Sequence, residues 1–340
     1  MKKVLALVLA MFVIIGLVGC AGGDSGKAAS GKLKIGISLP TQREERWVLD
    51  KEAFEKVAAE AGVDISIQIA DNDAARQQSQ CENLISQGIS VLIIAPHDAD
   101  AAANIVEMAH AAKIPVISYD RLVQNSDVDL YVTFDQYKIG QLMGEYVNEH
   151  VEKGNIVVLS GDPQDPTCVP LKKGAIDAIK GKIDSGAFKI VTEQECKDWQ
   201  PSEALKHMEN ALTANNNDIA AVIAPNDGTA GGCIQALAAQ GLDGKVVVTG
   251  QDSEVDAIKR IIEGTQSMTV FFDVRDMAKA AFDAAVKMAG GESAANIADT
   301  FENNGKIDVP TLGFPASQVT KDTYKALVID SGYMSEDDLK

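Results

Sequence analysis

The feature that most constrains this chain is an alternation that runs its course and then begins again. From Lys32 onward, short β-rich runs alternate with amphipathic stretches of helical period. The first set of strands is Lys34–Leu39, Asp64–Ala70, Val91–Ala95, Val116–Tyr119 and Leu130–Phe134, with helical spacing over Trp47–Ala61, Ala74–Gln87 and Ala99–Ala112. The second set is Asn155–Ser160, Phe188–Glu193, Ala220–Ala224, Val246–Gly250 and Met268–Phe272. Its helices are Val169–Ile179, Ser202–Ala214, Gly228–Gln240 and Glu254–Glu263. Apolar strands separated by helices of this length form βαβ units and a parallel sheet. The run Leu92–Asp98 (LIIAPHD) is echoed by Val222–Asp227 (VIAPND), which suggests two similarly built halves. The expected fold is α/β, with two doubly wound parallel-sheet lobes.

In open parallel sheets a ligand sits beyond the carboxyl ends of the strands, so the residues following each strand are the candidates. They form a consistent set: Gln42–Trp47 (QREERW), Asp120-Arg121, Asp135-Gln136, Asp162–Asp165 (DPQD), Lys197-Asp198-Trp199, Asn226-Asp227 and Gln251-Asp252. Taken singly, each has a plain structural reading. Asp-Arg after a strand makes a turn with an ion pair, Asn-Asp before Gly-Thr makes a helix N-cap, and a Trp opening a helix packs. Together, at one edge of successive strands, they supply carboxylates, amides, arginines and the chain's only two tryptophans. That chemistry suits a sugar. Carboxylates take hydroxyl protons, guanidinium groups give several N–H donors, and amides do both, while an indole covers the C–H face of a ring.

Other chemistries are absent from the sequence. Neither a phosphate-binding glycine loop nor a dinucleotide, serine-hydrolase or zinc-protease motif is present. Asp71-Asn72-Asp73 opens like a calcium loop but lacks its glycine and closing glutamate, and is read as a turn. No cofactor or metal is expected. The net charge of −18, from 31 Lys+Arg against 49 Asp+Glu, excludes a nucleic-acid partner.

The first residues read as an address. Lys2 and Lys3 precede an apolar run to Val18, then Leu17-Val18-Gly19-Cys20 and a Gly/Ser/Ala-rich stretch. This resembles a bacterial lipoprotein signal, with residues 1–19 as signal peptide, Cys20 as the lipidated residue and 20–31 as a flexible tether. It implies an extracytoplasmic protein anchored to the cell membrane by lipid alone. Four further cysteines follow. Cys81 and Cys233 lie in helical patterns and read as small core residues, while Cys168 and Cys196 each follow a strand and could meet as a disulfide in that compartment.

The chain resembles the periplasmic-binding-protein-like sugar-binding lipoproteins of ABC importers, closest to D-xylose-binding and multiple-sugar-binding proteins. The resemblance runs from about Leu33 to the C-terminus. It rests on Glu45-Arg46-Trp47, Ser118-Tyr119-Asp120-Arg121, Thr133-Phe134-Asp135 and the long run EALKHMENALTANNNDIAAVIAPNDGTAGGCIQALAAQGLDGKVVVTGQDSEVDAIKRIIEGTQSMTV. It implies three hinge crossings, near Asp135, Phe272–Asp273 and Val309–Pro310. The lobes are then 32–135 with 273–308, and 136–272 with 309–340, with the helix Val274–Ala289 returning to the first. It further implies sugar contacts at Arg46, Asp120, Arg121, Asn226 and Asp252, ring platforms at Trp47 and Trp199, and further contacts at Asp135 and Asp165. Phe272 stands where xylose binders have a lysine, and Asp165-Pro166-Thr167-Cys168 stands where they have paired asparagines. Xylose comes first as ligand, with glucose, arabinose or another aldose open. The implied role is a non-enzymatic, monomeric binding protein that delivers sugar to an ABC permease. The alternative is a sensor presenting sugar to a histidine kinase or chemoreceptor.

Overall fold

A computed structural model of the protein describes residues 33–340; the expected signal peptide, lipidation at Cys20 and tether lie outside the described residues. In chain order the elements are β1 (Lys34–Leu39), α1 (Glu45–Ala61), β2 (Asp64–Ile69), α2 (Ala74–Ser86), β3 (Val91–Ile94), α3 (Ala103–Ala111), β4 (Val116–Tyr119) and β5 (Leu130–Phe134). There follow α4 (Gln136–His150), β6 (Gly154–Ser160), α5 (Cys168–Asp184), β7 (Phe188–Glu195), α6 (Pro201–Ala214), β8 (Ala221–Ile223), α7 (Asp227–Ala239), β9 (Val247–Val248), α8 (Val255–Glu263) and β10 (Thr269–Phe271). The chain ends with α9 (Val274–Ala289), β11 (Thr300–Asn303), β12 (Asp308–Phe314) and β13 (Ser317–Val319).

The first lobe carries a seven-stranded sheet in the order β11-β12-β5-β4-β3-β1-β2, parallel except for the β11–β12 pair. Its central strands are buried along their whole length because helices cover both faces. The second lobe carries a four-stranded parallel sheet, β7-β6-β8-β9, and an antiparallel pair β10-β13. The pair continues the sheet: Ser267 N donates to Val248 O, Val270 N to Gly250 O and Asp252 N to Val270 O, all at 2.9–3.0 Å. These last bonds place Asp252 at the lip of the sheet.

The chain crosses between lobes after Phe134 and again around Phe272–Asp273, where α9 leaves to pack on α1. The third crossing comes later than the Val309–Pro310 expected. Strand β12 runs parallel to β5, with Thr311 opposite Tyr131 and Phe314 opposite Phe134, so the chain stays in the first lobe until Phe314. Pro310 is tolerated there because its partner strand β11 is a short exposed edge. The three crossings share one aromatic cluster. Phe134 stacks on Phe272 at 4.3 Å between centroids and meets Phe314 edge-on at 6.2 Å.

Helix α4 packs on α5 through glycines. A Cβ at Gly140 would lie 1.8 Å from Leu171 O, and one at Gly174 2.0 Å from Tyr137 O, so the backbones approach more closely than any side chain allows. Cys168 and Cys196 are free thiols. Cys168 packs with Leu171 and Ala175, its Sγ donating to Asp162 O at 3.3 Å, whereas Cys196 packs with Met208 and Cys233 in a separate core cluster. The expected disulfide is thereby corrected: the two thiols serve different cores. Cys81 and Cys233 are fully buried. Among the described residues no cluster of His, Cys, Asp and Glu could hold a metal ion. No described helix is long and apolar enough to cross a membrane.

Candidate functional site

The carboxyl ends of both sheets face a cleft of about 370 Å³, partly open to solvent. Its lining residues are Glu44, Arg46, Trp47, Asp120 and Arg121 on one side and Gln136, Asp165, Thr167, Trp199, Asn226, Gln251, Asp252 and Phe272 on the other.

Arg46 enters from the first turn of α1. Its Nη1 donates to Asp120 Oδ1 at 2.8 Å, and its Nε and Nη2 donate to Asp50 Oδ2 at 3.1 and 3.0 Å. Asp50, one turn along α1, is fully buried and also accepts from the Tyr119 hydroxyl. Burial pushes the Asp50 carboxyl up to about 6 although Arg46 pulls it down. Asp120 adopts φ 63°, a left-handed turn that aims its side chain at Arg46, and its carbonyl is held by the hydroxyls of Tyr131 and Thr133. Arg46 also lies 4.1 Å over the Trp47 ring and 5.7 Å from the Phe272 ring. The guanidinium is therefore fixed by carboxylates at its edge and aromatic faces around it.

Arg121 bridges the lobes. Its Nη1 donates to Pro96 O at 3.3 Å, and its Nε lies 2.7 Å from Asp165 Oδ2. That last pair is an ion contact without hydrogen-bond alignment, which leaves the Nε proton without a partner. Asp165 is fixed by its own lobe: Thr167 donates twice to Oδ1, from N at 3.0 Å and Oγ1 at 2.6 Å, and Trp199 Nε1 donates to Oδ2 at 3.1 Å. Trp199 lies against Gly161, where a Cβ would stand 2.3 Å from the indole.

Asn226 caps α7, its Oδ1 accepting from Thr229 N at 2.9 Å, which is the N-cap the sequence allowed. Its Nδ2 faces the cleft and makes no hydrogen bond to a described residue. Asp252, with φ 99°, is 5% exposed, and its carboxylate likewise has no hydrogen-bond partner among the described residues. Burial raises its carboxyl to about 8, against the pull of Arg46 and with the push of Asp227 and Asp120. Gln251 Oε1 and Glu44 Oε2 are buried without partners. Burial also raises the Glu44 carboxyl, opposed by Arg121.

Of the residues expected at the site, Arg46, Trp47, Asp120, Arg121, Asp165, Trp199, Asn226, Asp252 and Phe272 all line this cleft. Asp135 does not. It caps α4, accepting from Lys138 N at 2.8 Å, and is exposed; its neighbour Gln136 turns into the cleft instead. Glu44, Gln136 and Gln251 line the cleft from within the clusters marked in the sequence, and Thr167, two residues after Asp165, is an addition. His97, after the end of β3, is buried and does not line the cleft.

Two α/β lobes closed over a cleft, with unsatisfied polar groups aimed into it from both, define a two-lobed binding protein. Over residues 35–293 the chain matches the periplasmic binding protein domain family, and it belongs to that family. It is similar to the D-xylose-binding periplasmic protein of Escherichia coli, at 41% identity over 91% of this chain and 93% of that protein. The multiple sugar-binding periplasmic receptor ChvE of Rhizobium radiobacter is 34% identical over 92% of this chain and 94% of its own. Among solved structures, a carbohydrate transporter solute binding protein from Chloroflexus aurantiacus in complex with D-glucose superposes with a TM-score of 0.84. It is 36% identical, over 91% of this chain and 98% of that one. Like these relatives, the chain is a binding component and not an enzyme.

Proposed function

We propose that this protein captures a monosaccharide in the cleft between its lobes and delivers it to an ABC permease. Xylose is the first candidate and glucose or another aldose the next. In this reading the protein works outside the cytoplasm, as a monomer tethered through a lipid on Cys20. The observation that carries the reading is the set of open valences around the cleft. Asn226 Nδ2 offers donors, Asp252, Gln251 Oε1 and Glu44 Oε2 offer acceptors, and Arg46 and Arg121 keep N–H groups to spare. A polyhydroxylated ring can satisfy all of them at once, with Trp47, Trp199 and Phe272 against its C–H surfaces.

The work of binding is division of labour between lobes. Arg46, Asp120 and Arg121 belong to the first lobe, and Trp199, Asn226 and Asp252 to the second, so a ligand touching both has extra affinity for the closed form alone. Phe272 stacks on Phe134 at the crossings and forms one wall of the cleft, which links the ligand's position to the hinge.

The test is a calorimetric titration of residues 21–340 with xylose, glucose, galactose, arabinose and ribose. Tight binding of one or two aldoses with one-to-one stoichiometry supports the reading, and the winner names the sugar. No heat and no binding across the panel would overturn it.

A further inference from the structure

Four successive backbone amides run along the rim of the second lobe beside Asp252. Asp252 N donates to Val270 O at 3.0 Å, Ser253 N to Thr269 Oγ1 at 3.3 Å and Glu254 N to Asp227 Oδ2 at 3.1 Å. Those three partners belong to the second lobe. The fourth amide, Val255 N, donates to Glu45 Oε2 at 3.0 Å, and Glu45 belongs to the first lobe. Val255 is the first residue of α8, whose own N-cap, Glu254, makes no side-chain cap bond. A helix needs its first N–H groups satisfied, and here the partner comes from across the cleft.

The carboxylate suits that place for a second reason. Glu45 opens α1 while Val255 opens α8, so one anionic group meets the positive ends of two helices. The contact also brackets the cleft. Glu45 is adjacent to Arg46 in sequence, and Val255 stands three residues after Asp252. Asp252 and Ser253 hold φ of 99° and 55°, conformations that side-chain-bearing residues keep only when surrounding bonds hold them there. Glu45 itself does not line the cleft.

Resting on the reading of the cleft as the ligand site, we propose that Glu45 is a positioning residue for binding. It forms a cross-lobe cap on α8 that exists only when the lobes are closed, and it sets Asp252 against Arg46 without touching the ligand. Its contribution is then a property of closure and is the same for every sugar the protein binds.

The experiment compares wild type, Glu45→Ala and Glu45→Gln by calorimetry over the aldose panel, by thermal unfolding without and with ligand, and by hydrogen exchange at the Val255 amide. Glu45→Ala should raise Kd about tenfold, the scale of one hydrogen bond to a charged group, and by one common factor for all sugars bound. Glu45→Gln, which keeps an acceptor, should recover most of that loss. The melting temperature without ligand should stay put while the ligand-induced rise shrinks, and Val255 should lose exchange protection in Glu45→Ala. Unchanged Kd would overturn the proposal. So would a loss confined to some sugars, which is the mark of direct contact, or an equal loss of ligand-free stability, which is the mark of an ordinary cap. If wild type binds no sugar on the panel, the sugar reading fails and the exchange measurement still decides once the lobes are held closed by a disulfide between Ala99→Cys and Gln164→Cys, where Ala99 N donates to Gln164 O at 3.4 Å across the lobes. Equal protection of Val255 in wild type and Glu45→Ala overturns the cap, and reduced protection in the variant supports it.

Discussion

The two walls of the cleft are built on opposite plans. On the first-lobe wall, Arg46 is bound by Asp50 and Asp120, Asp50 is bound by Tyr119, and Asp120 is held at its carbonyl by Tyr131 and Thr133. The second-lobe rim carries the Asp252 carboxylate, Gln251 Oε1 and Asn226 Nδ2 without a hydrogen-bond partner among the described residues, although Asn226 Oδ1 is taken by the α7 cap. Around Arg46 the first wall is a satisfied network that holds its groups still, with Glu44 Oε2 and Arg121 Nε left open at its edge; the second-lobe rim at Asp252 is a row of open valences. The difference separates stability from affinity. Breaking the first wall leaves buried charges exposed to each other inside the fold, whereas trimming the second removes groups whose partner is the ligand.

The largest effect that separates them is on folding. Arg46→Leu strips Asp50 and Asp120 of their common counter-ion in a buried setting, and should destabilise the protein by about 3–5 kcal/mol as read by urea unfolding. Asp252→Ala should leave the unfolding midpoint unchanged or raise it, because a buried carboxyl without a partner is removed. A stability loss at Asp252 as large as that at Arg46 would erase the distinction between the walls.

Next in size is the effect of Asp252 on binding. Asp252→Ala should weaken sugar binding by about 1–3 kcal/mol, the cost of leaving a ligand hydroxyl unpaired. The same residue gives binding a pH dependence whose sign is fixed by its environment. In the closed cleft burial lifts its carboxyl to about 8, well above the ordinary aspartate range. The closed form therefore holds a proton that an open, solvated Asp252 releases. Closure and affinity are favoured in full at the acid end, below the ordinary aspartate value, and the advantage is lost as pH rises through about 8. Glu44, raised by burial, acts in the same direction. Calorimetry from pH 5 to 9 should show Kd rising with pH, and Asp252→Asn should flatten that profile. A Kd that falls with rising pH would mean the carboxylate form is the one that binds.

Much of this was legible in the residues. Strands β1, β4 and β5 have the bounds that period and β-branching marked out, and helix α9 has the bounds given with the family resemblance. Helix α4 was not marked. Two of its buried positions are Gly140 and Gly144, which hydropathy does not score as apolar although they make the closest contacts of the helix. Strand β12 escaped because it carries Pro310 and Gly313, and β11 because its residues are exposed throughout. The site was found as clusters at strand ends, and choice within a cluster was harder. Asp135 and Gln136 were both candidates, and the aspartate was taken by the helix end, the role its short carboxylate suits best. Glu44 stands two residues before Arg46 and Gln251 one before Asp252, and both members of each pair reach the cleft, which no sequence spacing says. That depends on the φ of 99° at Asp252 and on where α1 begins.

The smallest expected effect lies on the opposite rim, and it shows why a cross-lobe bond is not by itself a measure of closure. Gln164 Nε2 donates to Asp98 Oδ2 at 2.8 Å, and Ala99 N donates to Gln164 O at 3.4 Å, so this edge also joins the lobes. The side-chain pair is exposed, and Asp98 has another occupation, accepting from Ala101 N at 2.9 Å and Asp100 N at 3.1 Å. Water replaces such a bond at little cost when the cleft opens. Gln164→Ala removes the cross-lobe side-chain bond while leaving the Asp98 turn intact, and should raise Kd by less than about twofold, in line with exposed polar pairs worth a few tenths of a kcal/mol. Stopped-flow measurement of the sugar off-rate would resolve a change of that size. If Gln164→Ala speeds release as much as Glu45→Ala does, burial is the wrong criterion for ranking the two rims. The helix end at α8 would then be satisfied as well by solvent as by the glutamate.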